Sequence, residues 1–199
     1  MPIMQRRAQD TRSALLEAAQ LTFTDVGYTE ANVAEVVSRA GSSVGSMYHH
    51  FGGKADLFFA LHDGYQIRQE ARADIAVGDL MATGERNPAR LFSAGARAFL
   101  KGAWEERDLA RVFLSGDGPP GFDTAMRAGV EDWVCRSAAV LRAADGEPLN
   151  RAYPLLLTTV LAAGAREVTQ QADERAAMTF TDDVLSLLDR LTWPRPIPS

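Results

Sequence analysis

Between Gly41 and the Gly52-Gly53 pair the chain has room for a helix of about two turns and no more. Ser42 and Ser43 are candidate N-caps, and the helix they open runs to about His50. Upstream, Val33, Val36, Val37 and Ala40 form a second short apolar face that stops at Gly41. Gly41 permits the positive φ that a tight turn needs, and Ala40 is small where two helices must cross closely. A helix this short cannot stand alone, so Met47 and Phe51 must lean on neighbouring helices. That leaves Ser43, Gly45, Ser46 and His49 as a small, polar opposite face. Three readings are open at this point: an element that enters a DNA groove, a metal-binding His49-His50 pair, or a turn between core helices. Adjacent helical residues point about 100° apart and cannot share a metal as an i,i+4 pair does, which weighs against the metal.

The remaining chain is also helical in spacing, and strand alternation is weak throughout. Leu16, Ala19, Phe23 and Val26 fall at helical spacing ahead of Gly27. Lys54 opens a long helix to about Gly78, with Leu57, Leu61, Tyr65 and Ile75 on one side. Pro88 suits the first turn of a helix over about 88–103. A short helix over "EERDLARVFLS" precedes the strongest break, Gly116 to Gly121. Phe122, Met126, Val130 and Trp133 mark a helix reaching about Ala144, followed by a turn through Pro148. Leu149 to Gln170 forms the next. Phe180, Val184, Leu187, Leu188 and Leu191 mark the last, with Asp182 and Asp183 early, Arg190 late, and Pro194, Pro196 and Pro198 beyond. The expectation is an all-α chain of about nine helices: a three-helix N-terminal unit over 1–53 and a larger bundle over 54–199.

The 199 residues, 46% of them apolar, suffice for a sizeable core. No apolar run approaches the roughly 18 residues of a membrane span, and the N-terminus lacks a signal-peptide pattern. One cysteine, Cys135, excludes an internal disulfide framework and fits a reducing, cytoplasmic setting. The net charge of −5 is unevenly spread. Up to Lys54, Arg6, Arg7, Arg12, Arg39 and Lys54 balance Asp10, Glu17, Asp25, Glu30 and Glu35, so the acidic excess lies downstream. The positive end is "QRRAQDTR", either an arm reaching phosphate or the minor groove or an unstructured tail.

Helix, tight turn and short helix make the helix-turn-helix arrangement. The spacing extends further. The apolar first helix, Gly27-Tyr28 at its end, "AEVVSRAG", and the run Gly45-x-x-Tyr48-x-His50-Phe51-x-x-Lys54 with Leu57 beyond it resemble the TetR family of bacterial transcriptional regulators. The resemblance covers about residues 9–62. It implies that Ser43, Val44, Gly45 and Ser46 face base edges and sugars. It implies that Tyr48, His49 and Lys54 touch phosphate, and that Asn32, with Ala34, lies at the helix end nearest the backbone. Two positions depart from the pattern. Ala31 stands where the family usually has Thr, so Asn32 or Thr29 must replace a helix cap, and Ser42 stands where an apolar residue usually packs.

The resemblance further implies that the bundle binds a small molecule and dimerises through its last two helices. Ala162, Ala163, Gly164 and Ala165 are small enough for close helix approach. His62, Tyr65, Phe92, Phe99, Trp104, Phe113, Phe122, Met126, Trp133 and Tyr153 are candidates to line an apolar effector site, with Arg97 and Cys135 as further polar candidates. The same residues also suit an ordinary core. The expected function is a dimeric repressor that leaves a palindromic double-stranded operator when a mostly apolar ligand binds. The alternatives are a regulator without an effector and a helical-bundle enzyme. No nucleophile–base set, phosphate loop or metal spacing accompanies the three histidines His49, His50 and His62, so no catalytic residue, metal or cofactor is expected.

Overall fold

A computed structural model describes residues 3–141 and 150–190, and every regular element among them is a helix. The elements are α1 (Ile3–Glu30), α2 (Val33–Arg39), α3 (Val44–His50), α4 (Lys54–Ala82), α5 (Pro88–Glu105), α6 (Arg107–Leu114), α7 (Phe122–Leu141), α8 (Ala152–Gln170) and α9 (Glu174–Asp189). The expectations for Ala144, the turn through Pro148, Leu149, Leu191 and the terminal prolines lie outside the described residues. Two compact units form. One gathers the chain up to Tyr65 together with Asp108–Phe122, and the other takes Gln66–Arg107 and the chain from Asp123 onward. The first is larger than residues 1–53 because aromatic residues of α4 and α6 and Phe122 belong to its core.

In the first unit, α1 packs on α2 and α3, and its Leu15, Ala18, Ala19 and Phe23 are all nearly inaccessible. This stripe is offset from the expected one: Leu16 is half-buried and Val26 is exposed. Both registers have helical spacing, and packing within the first unit selects the first. Thr22 joins the core because its hydroxyl donates to the Ala18 carbonyl at 2.9 Å. Gly27 interrupts α1 with φ 79. Gly41, at φ 57, makes the α2–α3 turn where the sequence placed it. Phe58 centres an aromatic cluster, with ring centroids 5.5 Å from Phe23, 5.1 Å from Tyr28, 5.3 Å from Phe113 and 4.9 Å from Phe122.

In the second unit, α5 packs on α8 and α9. Asn87 caps α5 and Pro88 occupies its first turn, as the sequence suggested. Leu100, Leu157, Val168 and Ala177 are wholly inaccessible at the centre of this core, and Leu141, Leu185 and Leu188 close it. Burying each large aliphatic side chain is worth about 1.5–3 kcal/mol. α9 begins at Glu174, so Asp182 and Asp183 fall mid-helix rather than in its first turn. Asp173 supplies the cap instead, accepting from the Ala176 amide. α4 extends past Gly78 to Ala82, and Ile75 on it is exposed.

Candidate functional site

α3 is held by one side only. Met47 is fully buried and Phe51, just past its end, is 5% exposed. Val44, Gly45, Tyr48 and His49 are exposed, while Ser46 and His50 are half-buried. Ser43 caps the helix, its hydroxyl oxygen accepting from the Ser46 amide at 3.1 Å. The hydroxyl proton remains available to an acceptor outside. Asn32 does the equivalent for α2, accepting from the Ala34 amide at 2.8 Å. This resolves the departure at position 31: Ala31 is buried and Asn32 is the cap. Arg6, Arg7 and Arg12 lie on α1, which begins at Ile3, and not on a structureless tail. Arg12 covers the Phe51 ring at 4.9 Å. Arg39 is tied to Asp25 at 2.8 Å and Glu35 at 2.7 Å.

Lys54 is placed differently from the other implied DNA contacts. Its ammonium donates to the carbonyls of Tyr28 (2.7 Å), Thr29 (3.1 Å) and Ala31 (2.9 Å) and lies 4.5 Å from the Tyr28 ring centroid. All three donors are committed to carbonyls at and just past the end of α1. It fixes the chain between α1 and α2, and with it the start of the helix-turn-helix. Asp117, from the Gly116–Gly121 break, reaches the same turn. It accepts from the Thr29 amide at 3.0 and 3.1 Å and from the Thr29 hydroxyl. That hydroxyl holds the Asp117 carboxyl below its ordinary range. A Cβ at Gly27 would stand 2.6 Å from Asp117 Oδ2, so glycine here serves both the kink and the approach of the carboxylate. Sequence reasoning missed Asp117, because nothing in a turn-rich loop announces a partner 88 residues away.

The His49 and His50 rings meet edge to face at 5.3 Å, and no group of three metal-ligating side chains exists among the described residues.

The ten aromatic and polar candidates divide between the units. His62, Tyr65, Phe113 and Phe122 pack in the first, with His62 5.1 Å from Phe113 and 5.0 Å from Phe122. Burial pushes the His62 imidazole below its usual range, against an opposing pull from Asp63. In the second unit Phe92, Phe99 and Trp133 line a cavity of about 50 Å³ with Ala73, Val77 and Leu161. The Phe99 and Trp133 rings meet at 5.1 Å. Arg136, also lining it, is bonded to Glu70 at 2.7 Å and Asp74 at 3.3 Å. Trp104 is buried under the Arg107 guanidinium, while Met126 and Tyr153 are half-buried. Cys135 is exposed, contrary to a packing role, and Arg97 is exposed and paired with Asp182. One turn from Ala73 on α4, Gln69 is fully buried, and neither atom of its carboxamide has a hydrogen-bond partner. Leaving a buried polar group unsatisfied costs about 1–3 kcal/mol. Glutamine recurs too commonly on helices for the sequence to have marked this one.

A family model described as "Bacterial regulatory proteins, tetR family" matches residues 15–61, the span from the core of α1 to the first turns of α4. The chain is 40% identical over 52 residues to the HTH-type transcriptional repressor AcnR of Corynebacterium glutamicum, covering 26% of this chain and 28% of that one. The match thus spans little more than a quarter of that curated relative's length. Among solved structures, NalD, the secondary repressor of the MexAB-OprM multidrug efflux pump in Pseudomonas aeruginosa, superposes with a TM-score of 0.72 at 16% identity, covering 93% of this chain and 96% of that one. SmeT, in complex with triclosan, superposes with a TM-score of 0.68 at 21% identity, covering 95% and 99%. These similarities carry the fold across nearly the whole chain, and the helix-turn-helix match adds sequence. None of these proteins is described as an enzyme. Over residues 15–61 the chain matches the TetR family of bacterial regulatory proteins, and over nearly its whole length it shares the fold of these solved structures.

Proposed function

We propose that the chain is a cytoplasmic, dimeric DNA-binding transcriptional regulator, a repressor that a small, mostly apolar molecule releases from a palindromic operator. The observation that carries this reading is the one-sided anchoring of α3. Met47 holds it down while Val44, Gly45, Tyr48 and His49 stand exposed and uncommitted to the core. A narrow, small-residue helix face fits a major groove about 12 Å wide. Ser43 and Ser46 offer hydroxyls to base edges or sugars, and Val44 offers methyl contact to thymine. Tyr48, His49 and the free amide protons of Asn32 serve phosphate. Lys54 is left out of this set, because its ammonium is already spent on carbonyls.

Leu155, Leu156, Ala162 and Ala163 on α8 and Leu187 on α9 are exposed, an apolar surface that supports pairing of two copies. Two-fold pairing places two α3 helices about 34–36 Å apart, one helical turn of DNA. The effector site in this reading is the cavity lined by Phe92, Phe99 and Trp133. At about 50 Å³ it falls well below the roughly 300–1,000 Å³ of a drug-sized site, so entry must part α4 from α7. The ties of Arg136 to Glu70 and Asp74 are exposed and cost about 0–1 kcal/mol each to break. The triclosan bound to SmeT supports an aromatic effector by analogy of fold. The smallness of the cavity favours the second reading, a regulator with no effector.

The deciding measurement is fluorescence anisotropy with the DNA flanking the chain's own gene. Tyr48→Ala and His49→Ala should weaken specific and non-specific binding alike, because each removes a hydrogen bond to phosphate, which carries no sequence information. Equal affinity of the parent for the native and a scrambled duplex rejects the regulator. A thermal-shift screen of apolar compounds with no stabilising compound, and no release of DNA, selects the reading without an effector.

A further inference from the structure

On α4, Gln69, Ala73 and Val77 recur at i, i+4 and i+8 and share one face. They face an antiparallel stripe of α5. Val77 and Ala73 lie against Gly95, and Gln69 lies against Gly102, two turns further along that helix. The cavity occupies the Ala73–Val77 end of this seam and stops one helical turn, about 6 Å, short of Gln69. Gln69 is wholly inaccessible, and both its amide nitrogen and its carbonyl oxygen lack partners. Room for that head is made by Gly102, where a Cβ would collide with Gln69 Oε1 and stand 2.8 Å from Arg72 Cδ.

Resting on the reading of this cavity as the effector site, we infer that Gln69 is its polar anchor. The effector it selects is an uncharged molecule with a flat apolar body and one end group that both donates and accepts a hydrogen bond, as an amide or lactam does. The body fills the space between Phe92, Phe99 and Trp133, and the end group extends the cavity one turn along the seam to pair with both halves of the Gln69 carboxamide. A primary carboxamide pairs reciprocally with another amide, satisfying a donor and an acceptor at once. A charged end group is disfavoured. Arg72 is bonded to Glu106 and lies near Glu105, and Arg136 is bonded to Glu70 and Asp74, so the cations beside this seam are already neutralised. A site built around buried hydrogen-bonding groups rejects analogues that cannot pair with them far more strongly than it rejects a changed apolar contour.

The test is calorimetric titration of naphthalene-2-carboxamide and of 2-isopropenylnaphthalene, its near-isostere without hydrogen-bonding atoms, into the full chain. The parent should prefer the amide by at least about tenfold, and Gln69→Met, which keeps shape and removes the carboxamide, should abolish or invert the preference. Phe99→Ala should weaken both compounds together. The same preference in Gln69→Met as in the parent overturns the role of Gln69 while leaving the cavity occupied. Binding that is indifferent to Phe99→Ala places the compounds elsewhere and overturns the inference too. Failure of both compounds to bind any form overturns the effector cavity and the anchor together. A circular-dichroism melt confirms that Gln69→Met is folded, and Gln69→Leu replaces it in the titration if it is not.

Discussion

Lys54→Met separates a lysine that touches DNA from one that builds the turn between α1 and α2. The side chain keeps its length and loses three charge-assisted hydrogen bonds, to the carbonyls of Tyr28, Thr29 and Ala31. Such bonds are worth about 1.5–3 kcal/mol each in favourable sites. Lys54 is only half-buried, and water can replace it at the freed carbonyls, so the expected loss is about 2–4 kcal/mol in total and not the sum. For a chain of this length each kcal/mol shifts the midpoint by about 2–4 °C, so the transition of the first unit should fall by roughly 5–15 °C. DNA affinity should fall with it, because the α1–α2 turn that sets the helix-turn-helix loosens. The slope of log affinity against log salt should stay as in the parent, since no phosphate contact is removed. Melting followed by circular dichroism and binding followed by anisotropy at several salt concentrations give both quantities. A midpoint within a degree of the parent, with a salt slope shallower by about 0.9, would falsify the carbonyl-cage account and restore Lys54 to the phosphate set.

Asp117 gives a pH signature at the same turn. Its native pKa lies below the unfolded value, so its contribution is complete above about pH 4 and disappears as pH falls through the depressed native value. The melting gap between the parent and Asp117→Ala should therefore be constant near neutrality and close in acid, and a gap that widens in acid refutes the assignment. Gly102→Ala should destabilise by about 1–2 kcal/mol although the same change gains about 0.5–1 kcal/mol in an unobstructed helix, because the new methyl overpacks Gln69 and Arg72. Adding Gln69→Ala should recover part of that loss, and strict additivity of the two changes would show that they do not meet. Leu156→Arg and Leu187→Arg, at residues 53% and 62% exposed, should leave each protomer folded and shift sedimentation toward the monomer, while an unaltered dimer moves the interface elsewhere.

Much of the first unit was legible because its signals are local. The glycine at the α2–α3 turn, the Ser43 cap and the Met47–Phe51 anchors each act within about one helical turn, and each is where spacing placed it. Registers were less secure. Leu15 and Leu16 both fit an amphipathic α1, and only the helices that lie against it distinguish them. The start of α9 was misplaced because the leucine-rich half of that helix is conspicuous, whereas its real cap, Asp173, precedes a turn with few large apolar residues. The aromatic candidates were legible as a set and not as a division. Phe113 and Phe122 look no different from Phe92 and Phe99 in sequence, yet the first pair packs around Phe58 and the second lines the cavity.

Sequence alone determined that this chain is helical, where its short third helix begins and ends, and which family its first sixty or so residues resemble. Those properties follow from periodicity, caps and glycines, interactions whose range is a few residues. Tertiary structure decided which groups are spent and which remain available. It took the Lys54 ammonium for three carbonyls, brought Asp117 to Thr29 and sealed Gln69 behind Gly102 without a partner. A charge or an amide has the same letter whether satisfied or not, and only the atoms that surround it after folding settle the difference.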